Sequence, residues 1–469
     1  MQPKQMRRTA LMSWVMVLVT ACWTNIALAA FESGSTGADG AFEPTANIAL
    51  QIPESGVLNY TTVTIPTGVT VTFKKNSQNT PVTILATGDV TINGSINLDG
   101  SAGNYIIPGA GGPGGFDGGQ GGAAYGIGKR GEGTGGGAGG GTCTTSDAYS
   151  AGGGGGGFGA NGSGGGQTGY CNTSGGAGGS SYSNERILPA IGGSGGGGAG
   201  GTNTYVGGGG GGGGGAVVLA SSGTITVNGT ISANGGTGAT PSTGQARYSG
   251  GGGGSGGSIR LISNTISGNG SITANGGGGG NSYYGGNGGS GAVGRIRFEA
   301  SNVLRTAATS PPLSLGYPYA VTPPNMPSLT ISSIGGVSSP TVPKGAYGAP
   351  DVMLPFNTKN PITIVVTGSN IPTGQTVTVK ASPSVGSATS ASATLEGTEA
   401  SSSASLSLSI ATAYPSIITA SVTFQLSAAN GAPIYAMGEL VEKVRVSSAL
   451  GGKSLVTYIT ASGKEVQLL

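Results

Sequence analysis

Between Phe31 and Gly100 apolar and hydroxyl residues alternate with period two in short runs, and no stretch there has helical periodicity. Residues 60–65, Tyr-Thr-Thr-Val-Thr-Ile, and 69–73, Val-Thr-Val-Thr-Phe, predict strands separated by a Pro66-Thr67-Gly68 turn, and residues 82–85 and 90–92 continue the pattern. The sequence Val90-Thr91-Ile92-Asn93-Gly94-Ser95-Ile96-Asn97-Leu98-Asp99-Gly100 then returns twice in related form. One copy begins at Ile225 and carries Asn228-Gly229; the other begins at Ile266 and carries Asn269-Gly270. Each later copy follows an apolar strand that emerges from a glycine run, at 216–220 and 258–262, and a third such strand lies at 294–298. The unit reads as strand, turn, strand, Asn-Gly turn, strand, glycine excursion.

Two folds could use such a unit. Asn-Gly between short strands is a hairpin signal, which implies an antiparallel sheet. Repeated short strands with Asn and Gly at corners also suit a parallel β-helix, in which Asn residues ladder from coil to coil. The parallel β-helix is the fold expected here, because residues 30–100 share strand length and turn chemistry with the repeats of 216–304 and join them without a boundary. Ile and Val would face the interior, and Thr, Ser and Asn the solvent.

Residues 101–215 form the longest glycine-rich insertion, and they hold much of the chain's complement of 101 glycines. Glycine costs backbone entropy to order and buries no side chain, which favours a flexible loop. Glycine runs can also pack as bundled polyproline-II segments that exchange hydrogen bonds with their neighbours, with Tyr125, Tyr149, Phe158, Tyr170 and Tyr182 as edge anchors. Both readings stay open. Prolines at 311, 312, 318, 323, 324 and 327 mark 305–327 as a linker. Beyond it, 328–469 alternates Ser and Thr with Val, Ile and Leu in strands at sandwich-like intervals, which predicts an immunoglobulin-like β-sandwich.

Residues 1–29 have the form of a signal peptide: Lys4, Arg7 and Arg8, an apolar stretch too short to span a bilayer, and Ala27-Leu28-Ala29 as a cleavage site. Val19-Thr20-Ala21-Cys22 also fits a lipobox, so lipidation at Cys22 is the alternative and the only route to a membrane. The chain has 20 basic and 17 acidic residues, and three of the basic ones lie in the leader, which leaves 17 against 17. That balance, with no basic cluster, argues against nucleic acid. Cys143 and Cys171 would then share a compartment that permits a disulfide, a staple in the glycine-rich region.

With no histidine in the chain, histidine-based triads and His-ligated metals are excluded. Gly-x-Ser-x-Gly strings at 192–196 and 253–257 occur inside glycine runs without a base, and phosphate-loop patterns fail at Gly128-Lys129-Arg130 and at 447–454. No cofactor is expected. The acids Asp89, Asp99, Asp117, Glu132, Asp147, Glu185 and Glu299 keep open a carboxylate-based polysaccharide lyase or hydrolase. Against that, Asp89 and Asp99 adjoin glycines, where Asp commonly completes a turn. Asp117 alone cannot supply a calcium shell, and the Thr-x-Thr triplets are too few to form an ice-binding face.

The stretch from Phe31 through Gly100, with its Asn-Gly repeats, resembles exported bacterial glycine-rich proteins and, more broadly, the β-helix passengers of adhesins. The glycine-rich block is similar to the polyglycine bundles of phage tail-fibre adhesin tips and of one receptor tyrosine kinase family. The resemblance implies a secreted or cell-surface structural or adhesive protein making weak multivalent contacts with polysaccharide, cells or itself. It carries no catalytic residue across.

Overall fold

A computed structural model describes residues 30–53, 55–77, 79–144, 149–168, 171, 173–240, 249–282, 284–319, 321, 326–340, 343, 350–425, 435–436, 439–448 and 454–468. Residues 1–29, with the expected leader and Cys22, lie outside this set, as do Asp147 and Tyr170. Among the described residues the chain is all-β, with no helix. The region Glu32–Leu469 clusters as one compact unit.

The first part builds two parallel sheets. One contains β2 (Val57–Tyr60), β3 (Val63–Ile65), β5 (Val82–Ala86), β6 (Val90–Ile92), β8 (Ala216–Val227), β10 (Ser258–Ser267), β12 (Arg295–Val303) and β13 (Ser314–Gly316). The other runs in the order β1 (Ile48–Gln51), β4 (Thr70–Lys74), β7 (Ser95–Asn97), β9 (Thr230–Ser232), β11 (Ser271–Thr273). The Asn-Gly copies therefore stack in parallel and do not form hairpins. None of Gly94, Gly229 and Gly270 has the positive φ that a type I′ hairpin turn requires. Glycine is needed there for close approach: a Cβ on Gly229 would meet the backbone of Asn93 and Gly94, and one on Gly270 the backbone of Asn228 and Gly229.

Register explains the core. Val63 pairs with Val90, Val90 with Ile225, Ile225 with Ile266 and Ile266 with Val303, forming one inward column. A second column runs Leu58, Ile84, Leu219, Leu261, Phe298, Leu315. The interior members of both columns belong to one hydrophobic cluster, and the intervening hydroxyl positions turn outward as period two demands.

Amide ladders hold the corners. Asn228 Nδ2 donates to Asn93 Oδ1 at 2.9 Å, and Asn269 Oδ1 accepts from Thr306 N at 2.9 Å. At the next corner Asp99 Oδ1 accepts from Asn234 N, and Asn234 Oδ1 from Asn275 N at 2.8 Å.

The structure differs from expectation in two places. Residues 216–227 and 258–267 are each one continuous strand, with a register shift between them where Ser222 and Gly223 stand opposite Asn264, in place of strand, turn, strand. Residues 305–316, read as linker because of their prolines, add a further layer: Ser310 bridges to Thr273 and β13 pairs with β12. Pro311 and Pro312 flank these pairings, where no ladder donor is needed.

Residues 328–468 form two antiparallel sheets. The first is β14 (Ser328–Ile334), β15 (Val337–Ser338), β16 (Ile362–Ser369), β19 (Glu396–Gly397) and β20 (Ser402–Leu408), in the order 15-14-16-20-19. The second contains β17 (Thr376–Pro383), β18 (Thr389–Thr394), β21 (Ser416–Gln425), β22 (Tyr435–Ala436), β23 (Glu439–Ser448), β24 (Ser454–Thr460) and β25 (Glu465–Leu468). Strict alternation along β20 buries Ala404, Leu406 and Leu408 against Val366, Val379, Val422 and Val446.

Candidate binding surface at the tip of the glycine bundle

The glycine runs are ordered. In 207–215, Gly208, Gly211 and Gly214 donate to the carbonyls of Ser249, Gly252 and Ser255; Gly207, Gly210 and Gly213 donate to those of Gly122, Gly119 and Phe116; Gly209, Gly212 and Gly215 donate to those of Tyr105, Ser101 and Leu98. Partners thus change with period three, the period of a polyproline-II helix, so each segment binds different neighbours on its different sides. The carbonyls of Gly208, Gly211 and Gly214 in turn accept from Ala199, Gly196 and Gly193. This network satisfies buried backbone that would otherwise lack partners.

The bundle is not confined to 101–215. Segments 233–239, 249–257, 274–280 and 286–294 pack into the same array: Gly254 N donates to Gly236 O and Gly291 N to Gly277 O. The glycine excursions of all repeats therefore assemble into one body attached to the parallel sheets.

Each segment runs out from the sheets to a turn and back, and the outer turns meet. Tyr125 N donates to Thr202 O at 3.0 Å, Thr142 Oγ1 to Gly201 O at 2.5 Å, and Asn281 N to Thr240 Oγ1 at 3.3 Å. The rings of Tyr149 and Tyr284 meet edge to face at 6.4 Å. Cys143 and Cys171 are joined across two of these turns, with Cα atoms 5.7 Å apart.

The tip presents aromatic and aliphatic groups to solvent. Tyr105 is 54% exposed, Tyr125 44% and Tyr284 48%, and Ile107 and Ile127 are also exposed. Asn104 and Asn203 add amides, and the turns 104–107, 123–126, 202–205 and 281–285 contain no charged residue. Backbone geometry sets two of these residues apart. Tyr105 has φ of 55° and Tyr125 of 52°, the left-handed region that bulky side chains rarely occupy. Paired bonds between Asn104 and Ile107 and a bond from Gly126 N to Ala123 O close the two turns.

Two of the expected edge anchors lie elsewhere. Phe158 is buried and packs edge to face on Tyr182 at 5.1 Å, beside the sheets and away from the tip. Tyr182 Oη bonds Gly192 O and Ser194, and burial pushes its phenol above the usual range against the opposing effect of the Ser194 bond. Tyr105, Tyr205 and Tyr284 were not singled out from the sequence, although a tyrosine lies between nearly every pair of glycine runs.

Asp89, Asp117 and Glu299 serve local structure, whereas Glu132 and Glu185 are exposed. Asp89 Oδ1 accepts from Thr224 N at 2.8 Å, and Asp117 Oδ1 accepts from Gly111 N at 2.8 Å and pairs with Lys75 at 3.3 Å. Glu299, its side chain 1% exposed, is clamped by Arg260 at 2.8 Å and Arg297 at 2.6 Å. Among the described residues no cluster of three or more metal-ligating side chains occurs, and no helix is long and apolar enough to cross a membrane.

A separate groove of about 660 Å³ opens in the antiparallel part, lined by Leu329, Ile331, Leu354, Ile410 and Ile418 with Pro355 at its edge. Its lining is mostly apolar, with Asp351 and Asn360 as its acidic and amide members. No protein-family profile, curated protein or solved structure matches this chain.

Proposed function

We propose that this chain is an exported adhesive surface protein: a parallel β-helix carries the glycine bundle, an immunoglobulin-like sandwich follows, and the bundle tip is the contact surface. The observation that carries this reading is the pair Tyr105 and Tyr125. In a chain with 101 glycines, two exposed turn positions that glycine would fill without strain hold tyrosine at positive φ. Strain of this kind, of order 1–3 kcal/mol per residue, persists where the surrounding structure enforces it and clusters at functional sites.

Flat phenol faces flanked by amides, on turns 104–107, 123–126, 202–205 and 281–285 that carry no charge, suit neutral sugar rings, which offer C–H surface to stack and hydroxyls to bond. Several turns presenting similar groups on one rigid body favour multivalent attachment over one deep pocket. Leader cleavage, or lipidation at Cys22, would deliver the chain to the cell surface or beyond it.

The test is binding of the purified protein to neutral polysaccharides and to whole cells, with assays for new reducing ends and unsaturated products on the same samples. Retention without bond cleavage, lost in Tyr105→Ala/Tyr125→Ala at an unchanged melting temperature, is the expected result. Product release abolished by replacing a single acid would replace this reading with a carboxylate enzyme.

A further inference from the structure

The two ends of the parallel stack are finished differently. At the N-terminal end, Phe42 bridges to Val63 and stacks on Tyr60 at 5.0 Å. The edge of β2 and β3 is occupied there as well: Asp39 N donates to Asn59 O, Thr61 N to Gly40 O and Thr64 N to Phe42 O.

At the C-terminal end the inward columns run out into solvent. Ile266 and Phe298 are fully buried, yet their register successors Val303 and Leu315 are 38% and 62% exposed. Both positions continue the core pattern, and among the described residues no further layer lies over them. β13 pairs only with β12, so its outer edge offers backbone donors and acceptors. Leu304 and Tyr317 extend the apolar rim.

We propose that this C-terminal end is an interface for a second copy of the chain, joined end to end about a two-fold axis with the β13 edges pairing antiparallel. A second copy fits because it brings the same unfinished columns and the same free edge, so one contact completes both. Charge permits it: from Ser301 to Tyr319 the only charged residue is Arg305, whose guanidinium donates to the carbonyls of Ala307 and Gly268 at 3.0 and 3.1 Å. Beside β13, Arg297 reaches Ser314 Oγ at 3.4 Å, and its charge is offset by Glu299 at 2.6 Å. Head-to-tail stacking is disfavoured because the β2–β3 edge is already taken, so the assembly closes as a dimer and does not grow into a filament. The surface is distinct from the bundle tip, so failure of one proposal leaves the other standing.

The experiment uses the full chain carrying Cys22→Ser, with mass in solution read by light scattering after gel filtration. The expected result is twice the chain mass, reverting to one chain mass in Leu315→Asp and in Val303→Asp with unchanged circular dichroism. Under mild oxidation Leu315→Cys should link to itself as a covalent dimer, whereas Ile48→Cys, at the opposite end, should not. A monomeric parent overturns the proposal, since the end would then be free or covered by the chain's own residues. A dimer unaffected by Leu315→Asp, or one linked through Ile48→Cys, overturns it equally.

Discussion

Replacing Gly212 with alanine inserts a methyl group where the backbone of Ala110 and Gly111 already lies. Gly212 is surrounded by other segments: it donates to Ser101 O at 3.0 Å, and its carbonyl accepts from Gly236 N at 2.8 Å. Nothing flexible can yield, because the obstructing atoms are main chain in segments fixed by their own bonds. Overpacking of a tight interior costs about 1–3 kcal/mol, and weakening two backbone bonds adds about 1 kcal/mol each, so Gly212→Ala should lose about 3–5 kcal/mol. Gly278→Ala is the matched control. It lies in the same bundle, but a Cβ there has no atom within 4 Å and its φ is not positive. Restricting the unfolded chain should make that variant more stable by about 0.4–1 kcal/mol. Scanning calorimetry, with hydrogen exchange of the bundle amides, separates them: the Gly212 variant should melt on the order of 10 °C lower, at about 2–4 °C per kcal/mol, with faster exchange. Equal effects of the two substitutions, in either direction, would refute the packed bundle and favour independent glycine loops.

Glu299→Gln should destabilise the parallel part by about 3–5 kcal/mol, measured by chemical denaturation, because it leaves Arg260 buried without its counter-charge. Reducing the Cys143–Cys171 bond, which closes a separation of 28 residues, should cost about 3–4 kcal/mol on the loop-entropy estimate, read as a lower melting temperature with reductant. In the antiparallel part, hydrogen bonds from Lys464 and Ser462 hold the Glu439 carboxyl down at about 2. Since this lies below the value of an unfolded glutamate, its contribution is fully present above about pH 4.3 and fades as the pH falls toward 2. The melting-temperature gap between the parent and Glu439→Gln should therefore close over that window; a gap that stays constant with pH would refute the assignment.

The sequence made the parallel repeat legible because its signals are local: strand periodicity, Asn-Gly at a fixed offset, and an apolar strand after each glycine run. Asn93, Asn228 and Asn269 are at corners, as a stacked arrangement requires. The glycine body was not decidable in the same way. Glycine has no side chain to show which face is buried, and the partners of Gly212, Ser101 and Gly236, are far away in sequence and carry no pattern that matches them. Residues 305–316 were obscured differently, since prolines beside a strand look like prolines in a linker until the register with β12 is known. The tip tyrosines could have been found from the sequence by noting where tyrosine falls between glycine runs. Their left-handed backbone could not.

The period-three exchange of partners gives the bundle segments something like a reading frame. One residue inserted early in 207–215 would rotate every later amide by a third of a turn, so that Gly212 would address the neighbour meant for Gly213. An insertion of three would restore the assignment, while the outer turns, which lie outside the repeat, could change length freely. Such a scaffold tolerates variation in quantised steps along its shafts and without restriction at its ends, so the part that meets other molecules can diversify while the part that holds it in place keeps its count.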